Sequence, residues 1–336
     1  KCHGVAIAGV LIHKGVMGGL RARQPPTPGV LYAVLFQVTC QPVLDMAYDA
    51  FDDQYIGCTE DMENIIKSEL LRKEKSKHKV FSKRWEAAKK QWNEKKKNLS
   101  LPVGFKDENG IAILAYTNGN QISLHKEFNK AVREAGKSRA YYLKHFPFKA
   151  LHFYLTRALQ LLKRDCAEMY EMEVYRGVRS LRYKPIKSGS TVRFGTFTSS
   201  SLDWDVAQRF GSATFFTIRT CFGVPIADFS YIRAEEEVLI PVYETFKVSR
   251  FTQDKNSNTF VLHSTNRTFS RYNCAYIEGH PCSWSQVIMG QSQVVQKGCV
   301  LAGGGQQRIS LASGKAALEA PVSTAPTPHL LGGWSF

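Results

Sequence analysis

Apolar residues recur at helical spacing through the first half of the chain. Met62, Ile65, Ile66 and Leu70 line one face of a helix over 60–73, and a second helix is read over 81–97. Ser123 is a cap for a helix over 123–135, and Phe148, Leu151, Leu155, Leu159 and Leu162 place another over 147–163. Pro102 and Gly104 interrupt the pattern. The run 111–116 is apolar throughout, so its period is silent: it is either a strand or a buried helical turn. After Cys166 the texture changes to short β-branched and aromatic runs at 173–178, 191–194, 196–199, 214–220, 225–226 and 237–242. Gly, Pro and Ser turns separate them, and one helix, capped by Ser201, is read over 202–210. A helical half followed by a β-rich half predicts the α+β class. From 279 onward Gly, Ser, Gln, Ala and Pro dominate without apolar period, and 281–336 reads as a disordered C-terminal tail.

Composition narrows the setting. The chain has 336 residues, 43% of them hydrophobic, which suits one large packed domain with tails or two small ones. The net charge of +16 is uneven: residues 72–97 hold twelve Lys/Arg against three Glu. That stretch is either a solvated basic helix or a footprint for glycosaminoglycan or another polyanion. No stacking array or nucleic-acid motif accompanies it, so nucleic acid is not an expected partner. None of the eight cysteines forms a CxxC pair or a zinc-spaced Cys/His cluster, so disulfides are expected and a metal is not. The sequons at Asn98 and Asn266 would accept glycan in the secretory route, and with the cysteines they favour an extracellular protein. The run 30–38, preceded by Arg21 and Arg23, has the length of a signal-peptide core and otherwise reads as a buried strand. Residues 1–47 are accordingly an N-terminal extension with a signal segment, cleaved between Thr39 and Ala47, and the main domain runs over 48–280.

Three elements of the β-rich half invite chemistry. Glu235-Glu236-Glu237 stands directly before the apolar Val238-Leu239-Ile240, a costly place for like charges. In an extended segment Glu235 and Glu237 would share a face and Glu236 would point away. Two carboxylates aimed at one spot suit stabilising a cation or deprotonating one. Arg176 sits within the apolar run of Val174, Tyr175 and Val178, where it needs an internal ion pair or an anionic ligand. Ser199, in the hydroxyl-rich Phe197-Thr198-Ser199-Ser200-Ser201, is placed to face a cleft.

In these residues the sequence resembles the arginine-specific mono-ADP-ribosyltransferases of vertebrate cell surfaces, grouped with the Arg-Ser-Glu bacterial toxins. The resemblance is carried by Val174-Tyr175-Arg176-Gly177-Val178, by Phe194-Gly195-Thr196-Phe197-Thr198-Ser199-Ser200-Ser201 and by Glu235-Glu236-Glu237-Val238-Leu239-Ile240-Pro241. Their order and their intervals, 23 residues from Arg176 to Ser199 and 38 from Ser199 to Glu237, match the family. Similarity extends over about 51–278 and includes Ile111-Ala112-Ile113-Leu114-Ala115-Tyr116-Thr117. The resemblance implies NAD as donor, an arginine acceptor on a protein or small molecule, and a helical half packed on a split two-sheet NAD-binding core. By matching position, Arg176 would hold the phosphate and nicotinamide-ribose side of NAD, Ser199 would orient the catalytic glutamate, Glu237 would bind the ribose 2′-hydroxyl and stabilise the oxocarbenium-like state, and Glu235 would receive the guanidinium. Tyr116, Gly177 and Ser230 are further nucleotide contacts on the same basis. For Tyr116 and Ser230, packing or turn formation is as ready an explanation. It also implies the disulfides Cys58–Cys274 and Cys166–Cys221, leaving Cys2, Cys40, Cys282 and Cys299 unassigned.

Many relatives end in an apolar tail that a GPI anchor replaces, and this terminus lacks such a run, so a secreted or cell-surface monomer without that anchor is expected. The rival readings are an NAD glycohydrolase, in which water replaces arginine, and a catalytically silent recognition domain of the same fold.

Overall fold

The structure, a computed structural model, describes residues 41–119 and 124–278. The signal-like run 30–38, the cap at Ser123, the tail and the four unassigned cysteines lie outside the described residues.

The helical half opens with α1 (Thr59–Ile65), continues through a π-helical turn over Ile66–Leu70 into α2 (Leu71–Lys77), and then gives α3 (Lys79–Lys95). The ambiguous apolar run is helical, within α4 (Asp107–Thr117), where every residue from Asn109 to Tyr116 is buried. A helix covered all round by its neighbours shows no polar stripe, which is why its period was silent. It packs on α3 and on α7 (Lys149–Leu162). A Cβ on Gly110 would come within 2.4 Å of the Trp92 indole, so only glycine lets α3 approach this closely. α5 (Leu124–Ala135), α6 (Arg139–His145) and the short α8 (Cys166–Glu171) complete the half.

Eight strands follow: β1 (Val174–Val178), β2 (Thr191–Val192), β3 (Thr198–Ser201), β4 (Thr214–Arg219), β5 (Val224–Pro225), β6 (Glu237–Ile240), β7 (Glu244–Gln253) and β8 (Asn258–Thr268). Their order is β2-β7-β8-β4-β1-β3-β6-β5, antiparallel except for β4 beside β8. The β1–β3 junction rests on one register pair, Tyr175 with Ser201, so a five-stranded and a three-stranded part meet there. Arg176 is at that junction on one side and Ser199 on the other. The long β7–β8 hairpin was not among the expected strands, although Phe246, Val248, Phe260 and Leu262 alternate inward along it.

Strand alternation divides the core in two. Leu239 joins Phe197, Val224 and Ile226 in the cluster shared with the helices, whereas Val238 and Ile240 join Phe216, Phe246 and Phe260 on the opposite face. The acidic stretch at the start of the domain is structural. Asp52 pairs with Arg193, both fully buried, and accepts from the Arg271 and Tyr272 amides. Asp53 takes the amides of Tyr55, Cys274 and Ala275. The Cys58–Cys274 disulfide closes the same region, and Cys166–Cys221 ties α8 to the end of β4. Arg193 directly precedes the Phe194–Ser201 segment, so this buried pair anchors the chain that delivers Ser199.

Two local readings are corrected. The helix α9 (Trp204–Arg209) is capped by Asp203, whose carboxylate accepts from the Asp205 and Val206 amides. Ser201 instead accepts from the Asp203 amide and donates to the Glu235 carbonyl. The glutamate triplet is not extended: Arg233–Glu235 is a 3-10 turn, and Glu236 adopts a left-handed conformation with φ 43°.

Candidate active site

The register of β3 and β6 assembles the site. Ser199 lies opposite Leu239 and Ser201 opposite Glu237, so Ser199 and Glu237 are diagonal neighbours on one face. The Ser199 side chain, beside the Glu237 carboxylate, favours its charged form. From β1, Arg176 Nη1 donates to the Ser199 carbonyl at 2.5 Å, fixing the strand that carries the serine. Arg176 is half-buried and forms no ion pair among the described residues, so most of its donors remain available.

Glu237 is only 5% exposed. Burial pushes its pKa up to about 7; the Ser199 side chain opposes that rise, the Glu235 charge adds to it and Arg176 opposes it. Glu235 is half-buried, and burial raises its pKa as well. The turn thus presents two carboxylates that sense each other, while Glu236 is exposed. They are linked by a 3-10 turn and one left-handed residue rather than by an extended strand.

The floor of the site comes from the helical half. Tyr116, at the end of α4, is buried and donates its hydroxyl to the Phe197 carbonyl at 2.9 Å. Its pKa is pushed up to about 12, first by burial, and Ser199, Glu237 and Arg176 all act on it. Asn129 on α5 donates to the Tyr116 hydroxyl and to the Phe197 carbonyl, each at 3.0 Å. His125, one turn earlier, has its ring 6.0 Å from that of Tyr116. Burial, followed by the charges of Lys126 and Arg176, pushes its pKa down to about 4, so it is neutral at physiological pH. Sequence reading missed Asn129 and His125, and an amphipathic helix gave no signal to single them out.

The remaining expected contacts sit further out. Gly177 is buried against α9, where a Cβ would meet the Ala207 carbonyl oxygen at 2.2 Å and that of Gly211 at 2.3 Å. Ser230 is fully buried, and its hydroxyl donates to the Ala227 and Ile232 carbonyls, shaping the loop that leads to Glu235. That loop is tied to α4 by the Tyr231 amide on Thr117 Oγ1 at 2.9 Å. Asn98 and Asn266 are both exposed. In the basic stretch 72–97, Lys73, Lys75, Lys96 and Lys97 pair with Glu69, Glu86, Asp107 and Glu94, which offsets part of its charge.

A carboxylate buried beside a serine, a second carboxylate two residues earlier and an arginine on the adjoining strand are thus brought together. The profile of the NAD:arginine ADP-ribosyltransferase family matches residues 44–270, spanning all of these elements. The chain belongs to that family. It is 50% identical over 248 residues to ecto-ADP-ribosyltransferase 5 of Homo sapiens, covering 73% of this chain and 84% of that one. It is 45% identical over 260 residues to the GPI-linked NAD(P)(+)--arginine ADP-ribosyltransferase 1 of Mus musculus, covering 74% and 78%. The crystal structure of the eucaryotic mono-ADP-ribosyltransferase ART2.2 superposes with a TM-score of 0.61 at 42% identity, over 70% of this chain and all of that one. A mutant of ART2.2 in complex with NAD gives 0.60 at 41%. As a member of this family the chain has the α+β fold that the motifs implied.

Proposed function

We propose that this protein transfers ADP-ribose from NAD to an arginine guanidinium and releases nicotinamide, and that residues 48–280 form the catalytic domain. The observation that carries the reading is the pairing of Glu237, buried and next to Ser199 across the β3–β6 register, with Glu235 on the turn beside it. Breaking the bond from ribose C1′ to the nicotinamide nitrogen sends its electron pair to the ring and leaves positive charge on the ribose. A fixed carboxylate at Glu237 favours that charge over the ground state, as glycosidase carboxylates do. Arg176, with donors to spare, meets the diphosphate. Tyr116 stands nearest the same site, while Gly177 and Ser230 shape the backbone around it.

The acceptor guanidinium has a pKa above about 12 and is a poor nucleophile while protonated. Glu235, whose raised pKa makes it a better base than an ordinary carboxylate, engages it. The nitrogen lone pair forms the new bond to C1′ and the displaced proton passes to Glu235. Two disulfides among the described residues suit work outside the cell.

The test is labelled NAD with agmatine as acceptor, run on the wild type, Glu235→Gln and Glu237→Gln. Wild type should form ADP-ribosyl-agmatine. Glu237→Gln should lose about 10²–10³ in rate, the size of a lost transition-state contact. Glu235→Gln should lose transfer to agmatine while still releasing nicotinamide to water. Free ADP-ribose without ADP-ribosyl-agmatine from the wild type would establish a glycohydrolase instead.

A further inference from the structure

Ser201 ends β3 at the point where three strands meet. It lies opposite Glu237 of β6 and opposite Tyr175 of β1, and it is buried. Its hydroxyl makes two hydrogen bonds. The Asp203 amide donates to Oγ at 3.0 Å, and Oγ donates to the Glu235 carbonyl at 2.8 Å. An amide N–H only donates and a carbonyl oxygen only accepts, so the single hydroxyl proton is committed to Glu235.

The next residue repeats the contact through its backbone, the Leu202 amide donating to the Glu236 carbonyl at 3.1 Å. Two consecutive residues at the end of β3 thus hold two consecutive carbonyls of the acidic turn. The bonds fall where the turn leaves helical geometry, since Glu235 ends the 3-10 turn and Glu236 is left-handed. Carbonyls at the end of a helical turn lack partners inside it. Here the strand that carries Ser199 supplies them, and so sets the backbone of Glu235 as well. Through Asp203, whose carboxylate caps α9, the same hydroxyl ties the turn to a helix end. Glu237 is held differently, by its place in β6 and by the Ile226 amide on its carbonyl at 2.8 Å. These are backbone bonds, and a change confined to the Ser201 side chain removes none of them.

We propose that Ser201 is a positioning residue for the acceptor half of the reaction: its hydroxyl fixes the turn so that Glu235 meets the incoming guanidinium, while nicotinamide departs without its help. The inference rests on the reading of Glu235 as the acceptor carboxylate.

The experiment follows two products from labelled NAD and agmatine on the full chain, ADP-ribosyl-agmatine and total nicotinamide. It compares wild type, Ser201→Ala, Ser201→Cys, Ser200→Ala, Glu235→Gln and the double variant Ser201→Ala/Glu235→Gln. Ser200→Ala is the control, because the Ser200 hydroxyl is also buried and donates to a carbonyl at 2.8 Å, that of Val238, which lies beyond the turn. Ser201→Ala should lower the ratio of transfer to nicotinamide release by roughly 3–10-fold, the size of one neutral hydrogen bond. The loss should fall on kcat/KM for agmatine, with nicotinamide release in the absence of agmatine kept within about twofold of wild type. Ser200→Ala should leave the ratio unchanged even where its thermal midpoint falls as far. In the Glu235→Gln background Ser201→Ala should change neither product further, because both changes act on one carboxylate. Ser201→Cys, close in size and a weak donor, should shift the ratio in the same direction and serves if the alanine variant does not fold. A merely structural role would lower both products together. Products that fall by one common factor, an unmoved ratio in the Ser201 variants, or an equal fall in Ser200→Ala overturns the positioning role. Glu235→Gln separates the two readings: a variant that still transfers to agmatine at the wild-type rate removes Glu235 as the acceptor carboxylate, whereas lost transfer with an unmoved ratio in Ser201→Ala removes Ser201 alone.

Discussion

Glu237→Gln should make the protein more stable at pH 8 while it destroys transfer. Glu237 is 5% exposed and its pKa rises from 4.5 to about 7, chiefly because burial disfavours the charge. A folded-state pKa above the unfolded one means that the folded form binds the proton more tightly. The stability tied to that proton is therefore full below pH 4.5, lost progressively up to about pH 7 and absent above. Glutamine has nearly the same volume and carries no charge to desolvate. The variant should escape a cost on the order of 3 kcal/mol at pH 8, shrinking below about 1 kcal/mol at pH 5. Asp52, Asp53, Glu74 and Glu244 are also raised by burial, but they are present in both proteins and cancel. The assay is urea denaturation of both proteins at pH 5 and pH 8 with disulfides intact. For a slope near 3 kcal/mol/M the midpoint of the variant should lie about 1 M higher at pH 8. A variant less stable than wild type at pH 8, or a difference equal at both pH values, would refute the claim that Glu237 is held at a cost for function.

The chemistry of this site was legible in the sequence, and its means of assembly was not. Arg176, Ser199 and Glu237 stood out because each residue type is expensive or unusual where it occurs, and because their order and spacing carry the resemblance. The pairing of Glu235 with Glu237 was expected for a reason that does not hold. Strand alternation was assumed, whereas the chain makes a 3-10 turn and passes through one left-handed residue. Local sequence shows no glycine or asparagine at that position to warn of it. The helices at 59–77 and 149–162 followed from their apolar period, but α4 is apolar on all sides and its period said nothing. Sheet order is a matter of long-range pairing: β8 lies parallel to β4 some forty residues away in sequence, a partner that no local pattern names. Asn129 is illegible for the same reason. On α5 it is one more polar residue, and only the approach of Phe197, just before β3, gives its amide a carbonyl to meet.

Gly177→Ala tests whether the glycine after Arg176 serves packing. Its Cβ would strike the Ala207 and Gly211 carbonyl oxygens, backbone atoms that cannot move aside, so a loss of about 1–3 kcal/mol or more is expected as a lower thermal midpoint. An unchanged midpoint would show that α9 yields. Glu236 separates the two carboxylates proposed to act and is itself exposed, so its side chain should be dispensable and its conformation should not. Glu236→Gly should keep transfer to agmatine, because glycine enters the left-handed region freely. Glu236→Val should lose it, since a β-branched residue resists that conformation and would pull Glu235 out of line with Glu237. The backbone there is also held by the Glu236 amide on the Arg233 carbonyl and by the Leu202 amide on the Glu236 carbonyl. Relaxing φ at this residue strains both bonds, so the loss should fall on arginine transfer more than on nicotinamide release. Equal transfer by the glycine and valine variants would mean that the turn does not set the geometry of the acceptor carboxylate.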